Sequence, residues 1–449
     1  MSKKDSEQLA IELTVNLLYS CKRVGNWNPD SFPSQPLVNL LSKLSDHPDF
    51  KNIWDLELAK NILYYLLRDS PLKEKQSFTT SDAEKLLEDI HRSLVANVAR
   101  HWIVVPLRKA SLSKTVQFQD FVFIAGSREE KVETLRRLSQ MPKKDAYYLA
   151  EHTENSRSPG FFEHPLLAIR IVHQTNYVEH LAPLYALWTI CSLQAIYWGY
   201  IYPDGQSSKW VKWRNKCEHL AIWAKDAGRY WHQSLPFRST CKFDLDWISK
   251  RSHQKRFTNL FRSVIAAPNR DEDELTYRFF KALRYFGKAI DTEENSEAFE
   301  GMGITLVYLM TLAEGILLNN DFEKRNKLTV LLPRLAKLPD HTLSECALAV
   351  DQAYRWRSEF VHANNDKFPD WDDYLSEGAA TKNTRLVKRM VARLLSDAPK
   401  HIQKMDEEAE RLAQANREPP KLSSLWFKSL SKLWKKTLGL PTEEAGDGL

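Results

Sequence analysis

The sequence is poor in the residues that build turn-rich, cross-linked or metal-centred folds. Glycine is scarce, at 14 of 449 residues, which disfavours a β-sandwich with its many tight turns. The five cysteines, Cys21, Cys191, Cys217, Cys241 and Cys346, are few, odd in number and widely spread. No pair has CxxC spacing, so neither a zinc ribbon nor a disulfide scaffold is expected, and a reducing, cytoplasmic setting fits. HExxH, paired CxxC and carboxylate clusters at metal-ligand spacing are missing, so no metal and no cofactor is expected. P-loop, GxGxxG and GxSxG patterns are missing as well, which excludes nucleotide and ester hydrolysis by those routes. Charge of one sign is not in excess either. The formal net charge is +6, so any basic surface must be local. The opening MSKKDSEQLAIEL lacks an apolar stretch with a small-residue cleavage site, and secretion is not expected. Internal repeats are absent.

Long hydrophobic runs are nearly absent too. The one exception is the uncharged segment Leu181 to Pro203. It approaches the roughly 20 residues a membrane span needs. Pro183, Thr189, Ser192 and Gln194 interrupt it, and clean basic flanks are lacking, so a buried core helix is expected and no stable membrane association.

What is present is helical material with a small α+β insert. A hydrophobic content of 43% supports two or three domains with real cores. Residues 1–98 read as an N-terminal helical region, with a capping box at Ser81-Asp82-Ala83-Glu84 and helical spacing of Leu58, Ile62, Leu63, Leu66 and Leu67. Residues 99–265 read as an α+β region. Strands are expected at His101–Leu107, Thr115–Phe118, Phe121–Ile124 and Leu166–Val172, with a charged helix near Glu129–Leu138. An apolar helix follows from about Asn176 to Tyr200, and a tryptophan-rich helix over Trp210–Trp231. Between Arg238 and Arg262 cations outnumber acids, and Trp247, Phe257 and Phe261 interleave with them. That stretch is either a solvated basic face over core aromatics or a surface that tracks an RNA backbone and stacks its bases.

Residues 266–412 read as a bundle of four or five helices, making the whole chain mainly α. The helices are expected near residues 271–286, 299–318, 323–337 with a kink at Pro333, 342–362 and 384–404. Thr342-Leu343-Ser344-Glu345 is a capping box for the fourth. Residues 413–449 form an amphipathic tail, in which Leu422, Leu425, Trp426, Leu430, Leu433 and Trp434 line one face and lysines fill the other. It is expected to dock on its own protein or a partner, with a membrane surface as the alternative.

The fourth bundle helix ends in Tyr354-Arg355-Trp356-Arg357-Ser358-Glu359-Phe360-Val361-His362. Ala353, Trp356 and Phe360 repeat at core spacing. Arg355, Ser358, Glu359 and His362 share a face, while Arg357 lies about 140° from His362 on an ideal helix. Cleavage of RNA by its own 2′-hydroxyl needs a base, an acid and a cation for the phosphorane-like transition state. Histidine titrates near neutrality and arginine offers a planar donor fork, so these residue types suit that chemistry without a metal.

The stretch resembles the Arg-x(4–6)-His motif of HEPN domains, and more narrowly the Apea-like HEPN family. Tyr354, Arg357, Ser358 and His362 match that family's Tyr-x-x-Arg-Ser-x-x-x-His phrase. Upstream, Ala282–Ala289 resembles the family's first helix. Leu309–Leu317, with Glu314 ahead of a leucine-rich end, resembles its second. The segment from Val105 to Ile124 resembles a β-ribbon often placed ahead of the domain. The resemblance implies a homodimer with two motif helices facing each other and metal-independent endoribonuclease activity in anti-phage defence, set off by a phage or host trigger. It makes Arg357 and His362 the catalytic pair, with Ser358, Arg355 and Asn364 as supporting or substrate-binding residues. Arg355 also satisfies the permitted spacing. Ala363 stands where the family often has glycine, and Asn364 departs from the His-x-Tyr of the toxin subgroup. A non-catalytic RNA-binding or dimerising scaffold is the alternative reading.

Overall fold

The computed structural model of the chain describes residues 3–24, 34–45, 59, 62–63, 66–67, 70–95, 98–107, 110–156, 160–174, 178–202, 219–225, 232–234, 244–265, 275–295, 298–319, 323–361, 379–414 and 420–440. These residues are mostly helical, with one antiparallel sheet.

The first helices are α1 (Lys3–Val24), α2 (Ser34–Ser45) and α3 (Thr80–Val95). They gather around a core of their own. Leu17, Leu18, Leu40, Leu63, Leu67, Ile90 and Leu94 are all buried in it. The cap of α3 lies two residues before the expected one. Thr79 Oγ1 accepts from the Asp82 amide, and the Asp82 carboxylate accepts from the Thr79 amide and hydroxyl. An aspartate at the third helical position closes the box as well as the expected glutamate, and the helix begins earlier for that reason.

The sheet comprises β1 (Val98–Pro106), β2 (Val116–Phe118), β3 (Phe121–Ile124), β4 (Leu166–Gln174), β5 (His219–Ala224) and β6 (His232–Ser234). Its order is β2-β3-β4-β1-β5-β6, and every pairing is antiparallel. The central strand β1 is buried on both faces. Trp102 and Val104 point to one side, against α4 (Arg128–Ser139) and α5 (Lys143–Ser156). Ile103 and Val105 point to the other, against α6 (Val178–Ile196). Alternation of side chains along a strand produces this division. A reciprocal capping box at Ser127 and Glu130 starts α4.

Strand β5 corrects the helix expected over Trp210–Trp231. Residues 219–224 form a strand, of which 221–224 pair with β1, with Ile222 opposite Ile103 and Trp223 opposite Trp102. Leu220, Ala221, Ile222 and Trp223 are all buried, so the run shows no alternation, and a short apolar run of this kind does not distinguish strand from helix. The rest of that expected helix, except Lys225, lies outside the described residues.

After α6 the chain makes one wide turn, Tyr197–Ile201, with π-type hydrogen bonding. A second such turn, Phe261–Ile265, ends α7 (Arg251–Leu260). Phe257, Phe261 and Trp247 are buried, at 0%, 7% and 8% exposure. The aromatic residues between the basic positions are therefore core, and base stacking by them is ruled out.

The C-terminal helices are α8 (Leu275–Asn295), α9 (Ala298–Leu317), α10 (Lys324–Ala336), α11 (Leu343–Val361), α12 (Ala379–Ser396), α13 (Ala398–Gln414) and α14 (Leu422–Thr437). Pro333 sits in the final turn of α10, and the helix continues to Ala336. The capping box at Thr342 and Glu345 forms as expected. The single helix expected at 384–404 is two, broken at Asp397. Its carbonyl accepts from the Lys400 and His401 amides, and Pro399 falls in the first turn of α13, where a proline is tolerated.

One continuous core joins the sheet, α6, α7 and the bundle, from Ile103 to Leu430. Two glycines allow its closest approaches. A Cβ at Gly199 would lie 2.9 Å from the backbone of Arg393, and one at Gly287 would lie 2.2 Å from Cys191 Sγ. The tail helix α14 docks on the bundle. Trp426 is buried and its indole N–H donates to the Ile316 carbonyl at 2.8 Å. Arg278 and Lys327 lie over Phe427 and Trp434. Of the described helices, α6 included, none is long and apolar enough to cross a membrane.

Candidate functional site

Arg357 lies four residues before the end of α11 as described, about one turn past the buried Ala353. Its direction follows from the helical pattern. Ala353 and Trp356 turn toward the main core, Arg355 turns outward at 59% side-chain exposure, and Arg357 turns toward α9. There its Nη1 lies 3.3 Å from Glu314 Oε1, with side-chain exposures of 21% and 15%. The guanidinium also lies 5.7 Å from the Tyr354 ring centroid. Lys324, at the start of α10, approaches the other oxygen of Glu314 at 3.9 Å. One half-buried carboxylate thus stands between two cations from two different helices.

The geometry of this group leaves capacity unused. Arg357 Nε and Glu314 Oε1 are shielded from solvent, and neither has a well-directed hydrogen bond among the described residues. The 3.3 Å contact is an ion pair by distance, without the alignment of a fork-to-fork pair.

Arg355 belongs to a separate network. Asp351 accepts from Arg325 through both of its oxygens, and Arg355 Nε lies 3.4 Å from it. The Arg325 hydrogen bonds hold the Asp351 carboxyl below the usual range, so it is ionised at neutral pH. Ser358 is half-buried on the same helix. His362 and Asn364 lie outside the described residues, and so does any distance from Arg357 to His362. Among the described residues no group of three histidine, cysteine, aspartate or glutamate side chains is placed to hold a metal ion. Cys21, Cys191 and Cys346 are buried free thiols, and burial pushes each thiol up, to about 12, 12 and 11. None of them is a ready nucleophile.

Two further features escaped the sequence reading. Glu314 was visible there only as the acidic residue of a helix-end phrase, and its pairing with Arg357 spans 43 positions of sequence (314 to 357). The other is a cluster where α6, α7, α12 and α13 meet. The Tyr200 hydroxyl donates to Asp397 at 2.5 Å, and the guanidinium groups of Arg256 and Arg393 lie 3.4 and 4.0 Å from the Tyr200 ring centroid. Lys400 pairs with Asp397 at 2.7 Å. Burial pushes the Tyr200 hydroxyl up to about 12, with the Asp397 hydrogen bond adding to it. Tyr200 and Asp397 are 197 residues apart, beyond any local pattern.

Two open clefts flank the sheet. One is lined by Arg100, His101, Ser139 and Gln140, the other by Lys114, Glu129, Glu133 and Arg137, and neither includes an expected site residue. Compared with protein-family models, curated proteins and solved structures, the chain matches none.

Proposed function

We propose that the chain is a metal-independent endoribonuclease of the Apea-like HEPN kind, acting in anti-phage defence through Arg357 and His362. The observation that carries the reading is the pair between Arg357 and Glu314. It orients a cationic fork at the end of α11 whose side chain stays 21% exposed. In the proposed reaction the ribose 2′-hydroxyl attacks the adjacent phosphorus while a base takes its proton. The bond to the 5′-oxygen breaks, and an acid protonates that leaving group. His362 serves as base or acid. Arg357 stabilises the charge that builds on the phosphorane oxygens. Glu314 acts on substrate only through Arg357, as a positioning residue.

Arg357 faces α9 while Arg355 and Leu348 face outward, so among the described residues the outer face of α11 is uncovered. The reading opposes the two motif helices of a homodimer and puts the shared site at their C-terminal ends, since Arg357 itself turns toward α9. The same ion pair supports a second reading, in which Arg357 is a structural arginine and the chain is a non-catalytic RNA-binding or dimerising scaffold.

Purified wild type, Arg357→Ala and His362→Ala, incubated with total RNA in EDTA, decide between the readings. The nuclease reading expects cleavage by the wild type and at least a hundredfold loss in each variant, with the dimer retained. Wild type that binds RNA but never cuts it, even with phage components added, leaves only the scaffold.

A further inference from the structure

We infer that the exposed face of α7 is a surface for the phosphodiester backbone of single-stranded RNA. The choice of RNA among polyanions rests on the ribonuclease reading, and the surface itself rests on the following observations.

Phe257, Thr258, Leu260 and Phe261 bury one side of α7 and fix its orientation. The opposite side presents Arg251, Lys255, Asn259 and Arg262 at spacings of four, four and three, with Lys250 at the N-cap, all exposed. From Trp247 to Arg270 the sequence contains no aspartate or glutamate. No ion pair among the described residues includes Lys250, Arg251 or Lys255. Arg262 only approaches Asp120, at 3.9 Å, and Asp120 is already engaged by Arg170. Asp246, the nearest acid before α7, accepts instead from the Ser113 amide. The patch extends to Arg256 over Tyr200 and to Lys400, which is 68% exposed. Asp397, held ionised by Lys400 and Tyr200 against its burial, is the carboxylate within that extension.

This charge layout works against the helix that carries it. Lys250 and Arg251 sit at the positive end of the helix dipole, with no acid in the first turn. Arg251 and Lys255 are like charges one turn apart. A helix selected for stability alone would carry acids there. The unfavourable layout is relieved when an external anion covers it, and a row of cations along one helix face fits a chain of phosphates. A membrane surface fits poorly. Helices that lie on bilayers present Trp, Phe or Leu beside their basic residues, and here those side chains are buried in the core.

The test uses the full chain with His362→Ala, which keeps RNA intact, with and without Lys250→Gln, Arg251→Gln and Lys255→Gln together. Affinity for a fluorescent single-stranded RNA is measured across salt concentrations. Each phosphate contact contributes about 0.7 to the slope of log affinity against log salt, so the triple variant should lower that slope by about 2. Its melting temperature should stay the same or rise. Unchanged affinity and slope overturn the proposal, as does loss of binding to phosphatidylserine vesicles with RNA binding intact. Binding of DNA of the same sequence but not of RNA overturns it too. Cleavage by otherwise wild-type protein is scored separately. If that protein cuts RNA and the triple change moves nothing, the surface fails and the nuclease stands. If it binds through α7 and never cuts, the reverse holds.

Discussion

At the scale of single residues, the pair between Arg357 and Glu314 is the contact with most to reveal. Both groups are mostly shielded, so removing one leaves the other short of a partner. Arg357→Ala should lower stability by about 1–3 kcal/mol, because among the described residues Glu314 then retains only the more distant Lys324. Glu314→Ala should cost a similar amount, and the double variant less than the sum. A coupling energy on the order of 1 kcal/mol in urea melts fits the geometry, and additivity would show that the two side chains do not sense each other. Arg355 is the contrasting case. It is well exposed and shares Asp351 with a better placed Arg325, so its loss should scarcely register.

At the scale of elements, α13 holds a pH-sensitive contact. His401 packs between Phe279 of α8 and Trp426 of α14, and its Nε2 has no partner among the described residues. Burial pushes its pKa from 6.5 down to about 4, with Asp397 opposing and Lys400 and Lys404 assisting. The unfolded imidazole takes a proton below pH 6.5, whereas the folded one does so only near 4. The associated stability is therefore complete above pH 6.5 and is lost as the pH falls toward 4, a span worth on the order of 3 kcal/mol. His401→Leu should flatten the fall in stability between pH 7 and 4.5, and an unchanged pH profile would count against the burial argument. Sequence reading served these elements unevenly. Local signals succeeded: the Thr342 box, the β2 and β3 runs and the amphipathic stripe of α14 each depend on neighbours within a few residues. Where packing decided, the reading failed. Strand β5 shows no period because both of its faces are covered. Of the site, the residue types and the separation of Arg357 from the face of Arg355 and Ser358 were legible from helical periodicity. Its partner on α9 was not, because that contact is set by how two helices cross.

At the scale of the whole molecule, the described residues divide into two units with three cores. The N-terminal helices close around one core, while the sheet carries the other two, one shared with α6, α7 and the C-terminal helices and one closed by α4 and α5. Differential scanning calorimetry should therefore show two transitions, and Leu40→Ala should lower only the first, by about 2–5 kcal/mol. A single transition that shifts as a whole would mean that the two units melt together. The larger core also imposes an order on biosynthesis. The Ile316 carbonyl receives its indole donor from Trp426, 110 residues downstream. At about 5–20 residues per second, a ribosome needs roughly 5 to 20 s to deliver that tryptophan after the carbonyl has been made. During that interval the nascent bundle carries an open seam at Ile316 that only the last helix closes.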